Sequence, residues 1–187
     1  MKTFLKQSIN LFKVYTIGLF LLAALRFVYL IRFGEEGVFS FYFSDIISSF
    51  ITGVRFDTQI LCYCFGLIFL LNFLHFIPKE KLRRFIISFS KIYAIIVLVV
   101  IAFILLIDHQ FYTYFQTHLN ILVYGFLEDD TRAVMASVWS DHPIIRLLFV
   151  IIFITFIISK LISRVYLSPA EIKQTPNTFL NILMVVF

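Results

Sequence analysis

Charge is scarce: only 14% of the 187 residues are Asp, Glu, Lys or Arg, too few for the charged shell of an ordinary soluble domain. Glycine and proline are scarce as well, at 6 and 4 residues, which excludes collagen-like, low-complexity and disordered chains. Two cysteines cannot make a disulfide scaffold or a Cys-rich metal domain. Cys62 and Cys64 are two apart on a helical stretch, point about 200° apart, and serve as small packing residues. The sequence also has no Gly-rich phosphate loop, no H-E-x-x-H pair and no nucleophile elbow. What it has is apolar: 61% of residues are hydrophobic, 25 are Phe, and mean hydropathy is +0.97. That composition belongs to a membrane protein, all-α and built of transmembrane helices.

A spanning helix needs roughly 20 apolar residues to cross about 30 Å of hydrocarbon. Four stretches satisfy this, over about residues 11–31, 55–77, 85–107 and 144–162, and a partial fifth runs over 177–187. Those last eleven residues reach about half way across a bilayer, so the chain is expected to stop inside a helix. Ala23 and Ala24 make no A-x-A cleavage site and the apolar pattern continues to Ile31, so the first stretch is a signal anchor and not a cleaved peptide.

Loop charge sets the orientation. Lys2, Lys6 and Lys13 precede the first span, Lys79, Lys81, Arg83 and Arg84 lie between the second and third, and Lys160, Arg164 and Lys173 follow the fourth. The alternate loops are acidic, with Arg32 and Arg132 as their basic residues. Ten basic residues against two put the N-terminus in the cytoplasm. Because these residues sit in short loops and not in one aromatic-interleaved patch, the net charge of +5 does not imply nucleic-acid binding.

Between the first two spans, residues 32–54 carry Gly34, Gly37 and Gly53 among Phe39, Phe41, Tyr42 and Phe43, the composition of an interfacial segment. The external segment covers residues 108–143. Phe111, Phe115, Leu119 and Leu122 fall at helical spacing within it, predicting an amphipathic helix from His109 to Phe126 in the outer interface. Glu128, Asp129 and Asp130 form an acidic turn that can cap a helix toward Trp139. Ser168-Pro-Ala-Glu171 is a capping box in the tail.

Arg26, Arg55, Asp57 and Asp108, with His109 beside the last, are the candidate site residues, expected together at the outer ends of the first three spans. A charge bordering hydrocarbon costs about 2.5 to 3.5 kcal/mol on insertion scales, so such residues pair or face a polar group. Two roles stay open. The charges can pair with one another to hold the helix tops, or Arg26 and Arg55 can dock an anionic lipid headgroup. No charge falls near mid-membrane to support ion or proton conduction. His109, His118 and His142 lie near acidic residues, but no tight ligand motif joins them and no metal site is assigned. His75 marks the cytoplasmic interface.

Thr52-Gly53-Val54-Arg55-Phe56-Asp57 resembles the Gly-x-Arg-Phe-Asp signature in the membrane domain of the lipoteichoic acid synthase and phosphoglycerol transferase family. The stretch Asp108-His109-Gln110-Phe111-Tyr112-Thr113-Tyr114-Phe115, followed by Leu119-Asn120, is similar to the family's segment after its third helix. The resemblance implies five membrane helices in a bacterial cytoplasmic membrane, followed by an extracytoplasmic hydrolase-like domain of the alkaline phosphatase and sulfatase superfamily. That domain moves glycerol phosphate from phosphatidylglycerol with a threonine nucleophile and a divalent metal, commonly manganese. It covers only the membrane part, so no catalytic residue and no cofactor carries over, and these residues alone are expected to be inactive. The implied partners are a membrane phospholipid and a catalytic domain encoded separately or lost by truncation. A stand-alone anchor or interaction subunit is the alternative, followed by a small transporter, for which the Phe-, Ile- and Leu-rich helices offer no polar path.

Overall fold

A computed structural model describes residues 2–34, 38–77, 79–120 and 144–166. Every regular element among them is helical: α1 (Lys2–Phe33), α2 (Val38–Phe41), α3 (Phe43–Asn72), a 3-10 turn (Phe73–Phe76), α4 (Glu80–Phe115) and α5 (Ile144–Val165). Four stretches, Phe4–Phe33, Phe43–Phe76, Glu80–Thr113 and Ile144–Val165, are long and apolar enough to cross a membrane, as in a multi-pass membrane protein. Large side chains such as Phe12, Phe20, Leu70 and Phe153 point outward, an arrangement suited to hydrocarbon as the solvent. The acidic turn at 128–130, the capping box at 168–171 and the fifth apolar segment lie outside the described residues.

Two boundaries differ from expectation. The helix that carries the second span starts ahead of residue 55: α3 begins at Phe43, with Asp45 in its first turn, where the helix dipole favours an acid. Most of the expected interfacial segment is thus helix, and Asp57 lies midway along α3 and not at its head. The helix of the third span also runs on, because α4 continues through Asp108 to Phe115 where a new helix was expected at His109. Gln116 ends it with φ 51, a left-handed conformation, its amide donating to the Tyr112 carbonyl at 2.9 Å. At the other end of α3, Ile77 is extended (ψ 126), as the residue before a proline must be.

The chain divides into two compact units, Met1–Leu98 with Ser159–Phe187, and Val99–Ile158. In the first, α1 and α3 are antiparallel: the Phe4 ring meets Phe73 and Phe76, while Arg26 meets Asp57. Gly18 lets α1 come close, since a Cβ there would lie 3.0 Å from Leu61 Cδ2 and 3.2 Å from Leu98 Cδ2. Lipid is as apolar as leucine, so such helices are held by close packing and by hydrogen bonds between them. Tyr15 and Thr58 share one across α1 and α3 at 2.9 Å, and the Tyr93 hydroxyl donates to the Cys64 carbonyl at 3.1 Å.

Candidate functional site

Phe50, Gly53 and Asp57 stand three and four residues apart on α3 and so share one helix face. α1 lays Arg26 along that face. Its Nη2 donates to both Asp57 oxygens, at 2.9 and 3.0 Å, and its Cζ lies 5.8 Å from the centroid of the Phe50 ring. Gly53 makes the floor of the seat: a Cβ at that position would fall 2.2 Å from Arg26 Cζ and Nη1. Glycine lets the guanidinium lie directly on the α3 backbone; a larger residue would make the end of the Arg26 side chain shift.

The seat is inside the protein. Asp57 is 5% exposed, and the Arg26 side chain retains 29%. Arg26 lies about two turns before the end of α1 at Phe33, within its apolar run. Each charge alone would be costly there, and together they are neutral. One arm is left over: Nη1 is buried and has no hydrogen-bond partner among the described residues.

Arg55 is not part of this seat. It is two residues from Asp57, about 200° round α3, and is exposed with no ion pair among the described residues. Phe56, beside it, is also exposed, at 62%. The Gly53-x-Arg55-Phe56-Asp57 stretch therefore divides by helix face into two residues that hold Arg26 and two that face outward.

Asp108 belongs to the second unit and serves a different purpose. Its Oδ1 accepts the Leu119 backbone N–H at 2.7 Å and its Oδ2 lies 2.9 Å from His118 Nδ1, so it ties the chain back after the turn at Gln116. The Tyr112 ring packs against His118 at 5.3 Å. His109 lies one residue beyond Asp108 on α4, and its carbonyl accepts the Thr113 hydroxyl at 3.0 Å. Of the five candidates, then, Arg26 and Asp57 meet, Arg55 lies on another face of α3, and Asp108 with its neighbour His109 organises a local fold-back.

Gly53 and Phe50 were not among the candidate site residues, although Gly53 stands in the motif. The available signal was their spacing with Asp57 on one helix face; what was missing was the partner helix that gives the spacing meaning. Among the described residues no group of three or more His, Cys, Asp or Glu side chains is placed to hold a metal ion. Compared with known proteins, the chain matches no family model, no curated protein and no solved structure.

Proposed function

We propose that these residues form the membrane domain of a phosphoglycerol transferase of the lipoteichoic acid synthase kind. It anchors and presents an anionic phospholipid to an extracytoplasmic catalytic domain outside these 187 residues. It sits in a bacterial cytoplasmic membrane with its N-terminus inside, as the ten-to-two loop bias favours. In this reading any divalent metal belongs to that catalytic domain.

One observation supports the reading: the Gly-x-Arg-Phe-Asp stretch uses Gly53 and Asp57 to hold Arg26, leaving Arg55 and Phe56 exposed side by side. An exposed guanidinium next to an aromatic ring at a helix surface is suited to a lipid phosphate with its acyl chain alongside. Arg26 is committed to Asp57, so Arg55 carries the lipid contact.

The test is the amount of phosphatidylglycerol that purifies with the chain. Arg55→Gln should lower it several-fold without loss of folded protein. Unchanged lipid in that variant overturns the reading.

A further inference from the structure

The buried faces of the first unit turn polar at one end. Gln7 and Asn10 on α1, Asn72 at the end of α3, His75 in the 3-10 turn and Ser90 on α4 are each 2–4% exposed. Register brings them to the same end, on two levels about 4.5 Å apart. Gly18 lies against Leu61 and Leu98; eleven residues separate Gly18 from Gln7 and Leu61 from Asn72, and eight separate Gly18 from Asn10 and Leu98 from Ser90. α1 and α3 are antiparallel, and the short connector into α4 makes α1 and α4 parallel, so these equal steps end together.

None of these groups has what burial requires. Gln7 Nε2, Asn10 Nδ2, Asn72 Nδ2, both His75 ring nitrogens, Ser90 Oγ and Arg83 Nε lack a hydrogen-bond partner among the described residues. Buried polar atoms are normally satisfied, and a group of them without partners marks the place of a bound molecule or ion. The unambiguous charged donor is Arg83, half-buried at the aqueous edge. The buried carboxylate Asp57 is midway along α3, paired with Arg26. Lys79, Lys81 and Arg84 are exposed round the edge, and Glu80, their acidic neighbour, pairs with Arg84 at 3.3 Å. A cationic rim over buried donors selects an anion with several acceptor oxygens.

We propose that this end of the unit, distinct from the Arg55 face, binds a phosphate group, carried by a phospholipid headgroup or free in solution. Arg83 Nε supplies the charged hydrogen bond, and the Gln7, Asn10 and Asn72 amides complete the shell.

The full chain, purified in phosphate-free detergent, is titrated with inorganic phosphate and, separately, with dihexanoyl phosphatidylglycerol; dihexanoyl phosphatidylcholine is the zwitterionic control. Arg55 is present in every variant, so its contribution is constant. Saturable binding is expected for phosphatidylglycerol. Equal binding of inorganic phosphate makes a free phosphate sufficient, and its absence makes the lipid the ligand. Arg83→Gln should weaken binding about tenfold. Arg83→Lys, which keeps the charge and lacks Nε, should weaken it as well, while the charge-matched Arg164→Gln stays within about twofold. Asn72→Leu separates binding from structure: it should weaken binding and raise the ligand-free unfolding midpoint by removing an unpaired amide. No saturable binding of either probe, or equal losses in Arg83→Gln and Arg164→Gln, overturns the proposal. So does a lowered midpoint with unchanged binding in Asn72→Leu.

Discussion

Arg26 on α1 and Asp57 on α3 face each other with a single guanidinium nitrogen bonded to both carboxylate oxygens, 2.9 and 3.0 Å away, over a glycine that leaves the space between them. The pair joins the two helices within the apolar run of α1 and midway along α3, and the seat's chemistry is open to direct test.

Gly53→Ala should destabilise the fold by about 1 kcal/mol at most, because the added Cβ would make the guanidinium shift against Asp57 while alanine's better helix propensity offsets part of the loss. In the Arg26→Ala background the same change should cost little. Thermal unfolding of the four proteins in one detergent gives the cycle, and strict additivity would show that the glycine does not act through Arg26.

Removing one partner should hurt more than removing both. Asp57→Leu leaves a guanidinium without its acceptor and should cost about 3 kcal/mol, whereas Arg26→Met with Asp57→Leu should recover most of that loss. A double variant as unstable as Asp57→Leu alone would mean that the pair is not the source of the effect.

Asp108→Ala should open the fold-back after α4 and leave the helix itself intact. The Leu119 amide loses its 2.7 Å bond to Oδ1, so its hydrogen exchange should speed at least tenfold while amides in the middle of α4 are unchanged. Protection of Leu119 that survives the substitution would assign the turn to other contacts.

Gln116 is the described non-glycine residue with positive φ, at 51, and its side chain is exposed. Gln116→Gly should therefore stabilise by about 0.5–1 kcal/mol, seen as a higher unfolding midpoint, since glycine adopts that conformation without strain. A lower midpoint would mean that the weak 3.5 Å contact from Gln116 Nε2 to the Thr113 carbonyl matters more than the backbone.

The four spans were legible because runs of about 20 apolar residues have few other uses. Their limits were harder to read. Asp45 suggests an interfacial segment and Arg55 and Asp57 the head of a span, yet α3 passes through all three, and Asp57 is neutralised by a residue 31 positions away. Asp108-His109-Gln110 likewise suggests a helix end, and the end comes at Gln116, where the returning chain finds Asp108. Arg26 and Asp57 stood out as costly charges, but Gly53 acquires its role only when α1 is laid against α3. His75 was read as marking the cytoplasmic interface, and it is 3% exposed, in the turn that α1 packs against through Phe4. Periodicity within one helix says which residues share a face; it does not say what that face meets.

The division of labour on α3 can be read most directly with a phosphatidylglycerol that carries a photoreactive group next to its phosphate. After illumination in nanodiscs, peptide mapping should place adducts around Arg55 and Phe56, and Arg55→Gln should remove most of them while Lys13→Gln does not. Adducts elsewhere that are indifferent to Arg55→Gln would contradict the account.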